Sequence, residues 1–347
     1  MRHLPAGFAL PRRYLRNLRR EDPVTCGSRA TQSNVSLARK ATKVQSEAMN
    51  DSPDILCIGS VLWDIIGRAP VHMHLGSDVP GRIERLPGGV AMNIAMTLRR
   101  FGLHPAILTA LGRDSQGADL IANAEMLGID CAYLYRSDDL PTDRYMAIEG
   151  ANGLIAAIAD AHSLEAAGDK ILAPLADGRL GSAEQPWSGP VALDGNLTEA
   201  LISQISRSPL FARADLRVAP ASPGKAERLT PLLSHAAATL YVNLEEAGIL
   251  CQRNFKSAEA AAEGLLARGA HRVLVTDGGR AAADGSASDG GVISSAPPSV
   301  LVTRVTGAGD TFMAAHLVAE RRGSPRAEAL ERALIAAARY VSGELAT

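Results

Sequence analysis

The stretch Val305-Thr306-Gly307-Ala308-Gly309-Asp310-Thr311-Phe312-Met313-Ala314-Ala315 sets small residues and a single carboxylate at the mouth of an apolar helix. With no bulky side chain at Ala308 or Gly309, the backbone there can approach an anion closely. Its N–H groups lie at the positive end of the helix that follows. Asp310, on the first turn, then stands beside whatever oxygen such a cradle serves. Alone, a glycine turn ahead of a helix is ordinary capping, so its meaning depends on the rest of the chain.

More than two hundred residues earlier the device recurs: Gly88-Gly89-Val90-Ala91-Met92-Asn93-Ile94-Ala95 runs from two glycines into an apolar helix with one polar side chain, Asn93. Upstream of it, Asp64 follows the run Gly59-Ser60-Val61-Leu62-Trp63. From Asp54 onward, short β-branched runs alternate with longer helical ones, the layout of a mostly parallel sheet covered by helices. The pattern predicts strands over Ile55–Gly59, Ala106–Ala110, Val191–Leu193, Leu216–Val218, Thr239–Val242 and Val273–Thr276, each of the last four trailed by a helix. It predicts helices over Ala91–Phe101, Ser115–Leu127, Gly307 to about Arg321, and Arg326–Leu345.

Two stretches break the rhythm. Residues 68–87 and 144–159 are extended without a covering helix, and Asn152-Gly153 is a hairpin signal, so they predict a small separate sheet. His72 and His74, two apart in the first stretch, would share one strand face. With no third ligand near, they read as exposed polar residues rather than a metal pair.

Bulk properties narrow the function. The chain has 347 residues, 46% of them apolar, enough for a sizeable core. A net charge of -1 gives no electrostatic footprint for polymeric nucleic acid. The apolar runs, such as Gly153–Ala159, fall far short of the ~20 residues of a membrane helix. The cysteines Cys26, Cys57, Cys131 and Cys251 are scattered, without metal-ligand or disulfide spacing, which fits a reducing, cytoplasmic setting. Residues 1–50 carry ten arginines and lysines against three acidic residues, with no apolar period. They read as a disordered or non-native extension ahead of a globular unit at 51–347, with Met49 as a natural start; a targeting segment or a functional arm is the alternative.

The paired motifs, in this order and spacing along residues 54–345, resemble the two signatures of the ribokinase, or PfkB, family of sugar and nucleoside kinases. The resemblance implies an α/β, ribokinase-like three-layer fold with a mostly parallel central sheet. It also implies a small β-sheet lid, from about 68–87 and 144–159, which covers the sugar site and can join two copies as a homodimer. A kinase acting on a hydroxyl must deprotonate the attacking oxygen, hold the phosphoryl group in line and neutralise its charge. By resemblance Asp310 is the base, and Gly307, Ala308 and Gly309 form the N–H cradle. Asp64 would accept two hydroxyls of a small-molecule nucleoside or sugar, with Gly88, Gly89 and Asn93 completing the contacts.

Asn243-Leu244-Glu245-Glu246 resembles the family's Asn-x-x-Glu motif, which implies that Asn243 and Glu246 organise hydrated magnesium (Mg2+), although by itself the segment reads as an acidic helix start. Thr276 and Gly278, in Val275-Thr276-Asp277-Gly278-Gly279, resemble the nucleotide loop for ATP, with Asp277 standing where the family usually has leucine. Lys225 would meet phosphate or substrate as a point charge, or lie on a helix surface; Arg304 would meet the ATP phosphates or be exposed. A monovalent cation such as potassium (K+) accompanies some relatives.

Softer likenesses at Gly76–Gly81, Tyr145–Asp160, Asp194–Leu197 and Ala221–Ala226 resemble the pseudouridine kinases within the family and imply 5′-phosphorylation of that nucleoside. The alternatives are a kinase for ribose, a hexose or a purine nucleoside, or a catalytically silent sensor on the same scaffold. A dehydrogenase is disfavoured because no Gly-x-Gly-x-x-Gly follows the first strand.

Overall fold

A computed structural model describes residues 52–74 and 76–344. The basic segment 1–50 and the residues beyond 344 lie outside the described residues, so the expectations placed on them go no further here. The chain from Asn50 onward forms one compact unit.

Its core is an eight-stranded sheet built from β1 (Ile55–Ile58), β4 (Pro105–Leu108), β9 (Pro190–Asp194), β10 (Asp215–Ala219), β11 (Ala238–Asn243), β12 (Arg272–Thr276), β13 (Ala282–Ser286) and β14 (Gly291–Ser295). The order across the sheet is β14-β13-β12-β11-β10-β9-β1-β4, with every pairing from β4 through β12 parallel. Continuous burial of Ile55, Leu56, Cys57 and Ile58 shows why such strands read as unbroken apolar runs: both faces are covered.

Alternate residues feed two cores. Leu56, Ile58, Leu193, Val218, Leu240 and Val273 pack with α4 (Glu199–Arg207), α5 (Leu244–Cys251) and α6 (Ala258–Ala267) on one face. Ile55, Cys57, Ile107, Tyr241 and Leu274 pack with α1 (Val90–Arg100), α2 (Ser115–Met126), α7 (Ala308–Arg321) and α8 (Arg326–Ser342) on the other. The result is the sheet covered by helices that the alternation predicted, in the three layers that the resemblance implied.

Several expectations need correction. β12 is not trailed by a helix; it turns into β13 and β14, which pair antiparallel at the edge. After β10 the chain forms a 3-10 segment, Pro223–Leu232, held away from α-helix by Pro231 inside it. The last helix stops at Ser342, where Gly343 takes the left-handed cap conformation.

The second sheet has the order β3-β2-β7-β8, from β2 (Leu62–Arg68), β3 (Arg82–Gly88), β7 (Arg144–Gly150) and β8 (Gly153–Asp160). A separate pair, β5 (Ala110–Gly112) and β6 (Tyr135–Ser137), and the short helix α3 (Ser163–Ala167) complete the elements. The lid therefore begins at Leu62, earlier than the stretch 68–87 suggested, and Asp64 lies within a strand. The hairpin turns at Ala151-Asn152, with Gly150 facing Gly153. His72 and His74 sit in the irregular connection between β2 and β3, exposed and on no strand face.

Candidate active site

In an open parallel sheet the carboxyl ends of the strands form a crevice where strand order reverses, because neighbouring connections leave there in opposite directions. Here that point lies between β1 and β9, since the chain passes from β1 to β4 on one side and continues from β9 outward on the other. Gly59-Ser60 and Asp194-Gly195-Asn196 follow these two strands, and the motifs gather around them.

The glycine pair works by close approach. Gly89 caps α1 with φ +93°, and a Cβ there would fall 2.4 Å from the Ser60 carbonyl oxygen. A Cβ on Gly88 would meet Asp64 Oδ2 at 2.0 Å, so the Asp64 carboxylate lies directly over the Gly88 backbone. Asp64 faces Leu86 on β3 and Tyr145 on β7 across the lid. Partial burial pushes its carboxyl up to about 6.

Asn93, on the first turn of α1, donates through Nδ2 to Asp310 Oδ2 at 3.0 Å. The two motifs are thus brought into contact. Asp310 remains partly open to solvent, yet its carboxyl is pushed up to about 7, first by desolvation and then by the negative charges of Asp194 and Glu246 against the opposing Asn93 bond. Gly307, ahead of α7, holds φ +86°, and Tyr340 Oη would lie 2.5 Å from a Cβ at that position.

The N–H cradle differs from expectation. Ala308 N–H donates to Val305 O at 3.0 Å and Thr311 N–H to Gly307 O at 3.0 Å. Among the described residues no protein acceptor takes the N–H groups of Gly307, Gly309 or Asp310. The donors open to an anion are therefore these three, and Ala308 contributes only its small side chain.

Asn243 and Glu246 form a reciprocal capping box at the start of α5: Glu246 N–H donates to Asn243 Oδ1 and Asn243 N–H to Glu246 Oε2, each at 2.8 Å. The acidic helix start and the Asn-x-x-Glu motif are thus one structure. Burial pushes Glu246 up to about 7. With two of these side-chain oxygens already engaged, and no cluster of three His, Cys, Asp or Glu able to hold a metal among the described residues, the pair fits a cation held through water rather than a direct cage.

Beside it, Asn243, Thr276, Asp277 and Gly278 line an open cleft of about 870 Å³ with Gln252, Arg253 and Phe255; Asn243 pairs with Thr276 at the ends of β11 and β12. Arg280 forks onto both Asp277 oxygens at 2.7 Å and so neutralises the carboxylate that departs from the family pattern.

Lys225 does not join that cleft. It lies in the 3-10 segment with Nζ on Asn196 Oδ1. Arg304 stacks 4.0 Å over the Tyr340 ring and donates to the Tyr340 carbonyl, so it braces the Gly307 turn from behind. Asp160 is paired with Arg144 at 3.0 Å. Reading the sequence missed Ser60 as part of the site; its one signal was its place immediately after the first strand.

The profile of the pfkB family carbohydrate kinases matches residues 52–347. The chain belongs to this family. As a PfkB kinase it is a phosphotransferase with an alcohol group as acceptor, and no helix among the described residues is long and apolar enough to cross a membrane. It is 28% identical over 291 residues to a pseudouridine kinase of Escherichia coli, spanning 81% of this chain and 88% of that one. A carbohydrate kinase from Agrobacterium tumefaciens superposes with a TM-score of 0.70 at 25% identity, covering 84% of this chain and 92% of the other. Arabidopsis thaliana ribokinase, complexed with ribose and ATP, superposes with a TM-score of 0.67 at 21% identity over 84% and 93% of the two chains, a likeness of ribokinase fold.

Proposed function

We propose that this PfkB kinase transfers the γ-phosphoryl group of ATP to the 5′-hydroxyl of pseudouridine, giving pseudouridine 5′-phosphate and ADP. The observation that carries the reading is the meeting of Asn93 with Asp310 beside a lid that bears Asp64 over Gly88. That arrangement pairs a carboxylate able to accept two ribose hydroxyls with a second one suited to take a proton.

In this reading Asp64 accepts the ribose hydroxyls, and the backbone of Gly88 and Gly89 with the Asn93 amide lines the sugar. Asp310 takes the 5′-hydroxyl proton as that oxygen bonds to the γ-phosphorus and the bond to the ADP oxygen breaks. With its pKa near 7, a substantial share of Asp310 is ionised at neutral pH. Gly307, Gly309 and Asp310 N–H groups face the phosphoryl oxygens at the positive end of α7.

Thr276, Gly278 and Asn243 line the cleft assigned to the nucleotide, while Lys225, outside that cleft on Asn196, would meet phosphate or substrate as a point charge. Asn243 and Glu246 would hold Mg2+ through water, and that ion, when bound, neutralises phosphate charge. Activation by potassium and a homodimer formed through the lid belong to the same proposal.

The choice of pseudouridine is supported by the similarity to the E. coli enzyme over most of both chains. It is also supported by Tyr145, which sits beside Asp64 on the lid and offers a ring against a nucleobase. The test is ADP release from purified protein with ATP and magnesium, offered pseudouridine, uridine, adenosine, ribose or fructose in turn. Preference for pseudouridine is expected; turnover of ribose or fructose alone rejects the nucleoside while keeping the kinase.

A further inference from the structure

We infer that Ser60, anchored by Asp194, is a positioning residue for phosphoryl transfer: it clamps the end of β1 to the first turn of α1 and so sets Asn93 against Asp310. Asp194 is 1% exposed at the β1–β9 reversal. Its Oδ2 accepts Ser60 N–H at 2.7 Å and Ser60 Oγ–H at 2.6 Å, and its Oδ1 accepts from Asn196 N and Nδ2 at 2.7 and 2.8 Å. The buried carboxylate is therefore fully engaged, with the Lys225 ammonium one side chain away on Asn196.

The Ser60 hydroxyl, having given its proton to Asp194, accepts two bonds at 2.9 Å, from Asn196 Nδ2 and from Val90 N–H. Val90 is the first residue of α1, and its N–H has no acceptor inside the helix. Since the Ser60 carbonyl also packs against Gly89, the β1 end fixes both the height and the direction of α1. Three residues on from Val90, Asn93 makes its bond to Asp310. The path Asp194–Ser60–Val90–Asn93 is continuous, and the Ser60 side chain touches none of the atoms proposed to react.

This inference rests on the reading of Asp310 as the base, and the test separates the two. Ser60→Ala removes the clamp without altering charge. The charged groups facing Asp310, Asp194 from β9 and Glu246 from α5, remain in place, while its neutral donor Asn93 from α1 loosens. A lost donor to the ionised form raises a carboxyl's midpoint. Carbon-13 carboxyl titration by NMR, with Asp310 assigned by the Asp310→Asn spectrum, should therefore show the midpoint rising in Ser60→Ala as it rises in Asn93→Ala. This readout needs no substrate.

In turnover, with whichever acceptor the parent phosphorylates, Ser60→Ala should lower kcat roughly 10- to 100-fold with KM little changed. Ser60→Ala added to Asn93→Ala should cost no more than about threefold beyond Asn93→Ala alone, because both act through one bond. Ser60→Cys, which leaves the charges around Asp310 unchanged but is a weak donor to Asp194 and a weak acceptor for Val90 N–H, gives a second pair in the same double-variant scheme should Ser60→Ala fold poorly. An unmoved Asp310 midpoint in folded Ser60→Ala, or losses that multiply in either pair, overturns the inference. A moved midpoint in a protein that phosphorylates nothing keeps the clamp and rejects only the assigned base.

Discussion

Asn93 Nδ2 and Asp310 Oδ2 meet at 3.0 Å although 217 residues separate them in the chain. Each sits on the first turn of a helix that follows glycine, and the contact fixes the ends of α1 and α7 toward one point. Because both helices pack on the same face of the central sheet, the distance between the Asn93 amide, proposed to line the sugar, and the proposed base is set by the core rather than by a loop.

Replacing Asp310 by Asn keeps the size of the side chain and deletes the proton acceptor. The expected outcome is a fall in kcat of about 10²- to 10⁴-fold, the range for a lost general base, with acceptor binding by calorimetry within a few-fold of the parent. Retention of near-parental turnover would remove Asp310 from its role.

The pH dependence follows with its sign. A base must be ionised to act, so kcat should climb with pH through about 7, the Asp310 value raised by desolvation and by Asp194 and Glu246. Stability should run the other way. The folded protein holds the Asp310 proton up to about 7 while the unfolded chain releases it near 3.8, so unfolding free energy from this group declines as pH rises across that window. Asp310→Asn abolishes the decline. Its unfolding free energy should exceed the parent's at pH 8 by an amount on the order of 1–3 kcal/mol, read as a higher melting temperature, and match it near pH 4. Equal melting curves at pH 8 would contradict the raised value.

The alternation of apolar runs made the parallel sheet legible because strands buried on both faces carry few polar residues to interrupt them, Arg217 in β10 being an exception. Equally legible were the two glycine-to-helix turns, since left-handed backbone at Gly89 and Gly307 has few substitutes. What stayed hidden depended on partners distant in sequence. The run Val273–Thr276 looks like its parallel neighbours, and nothing in it announces that an antiparallel pair rather than a helix comes next. The amide of Ala308 looked available until Val305 O was found to take it. Ser60 is one serine among many until Asp194 and Val90 are placed on either side of it. Asp64 fell outside the predicted strands because β2 is too mixed in character, with charge at both Asp64 and Arg68, to read as one.

Gly88→Ala tests the sugar side. The new methyl would lie 2.0 Å from Asp64 Oδ2, a separation no side chain tolerates, so the carboxylate must rotate off the glycine backbone. Acceptor KM should rise at least about tenfold, the scale of losing one well-placed charged hydrogen bond, with KM for ATP within about twofold. A parallel rise in both KM values would place Gly88 in the general architecture instead.

The outer face of the lid supplies the last prediction. Residues alternate across its strands, so the face opposite Asp64 carries the cross-strand rows Arg85-Ile65-Met146-Ile158 and Ile83-Gly67-Ile148-Ala156. Ile158 is 67% exposed and Ile83 77%. Branched apolar side chains held open on a sheet face gain by being covered, at about 25 cal/mol per Å² of apolar area removed from water. A second copy offering the same rows would bury both. Light scattering should therefore report twice the 36.4 kDa chain mass. Joint Ile83→Arg and Ile158→Arg substitution should return it to one chain with an unchanged melting temperature for the central unit, whose core neither residue enters. A parent that stays monomeric at high micromolar concentration would rule the pairing out.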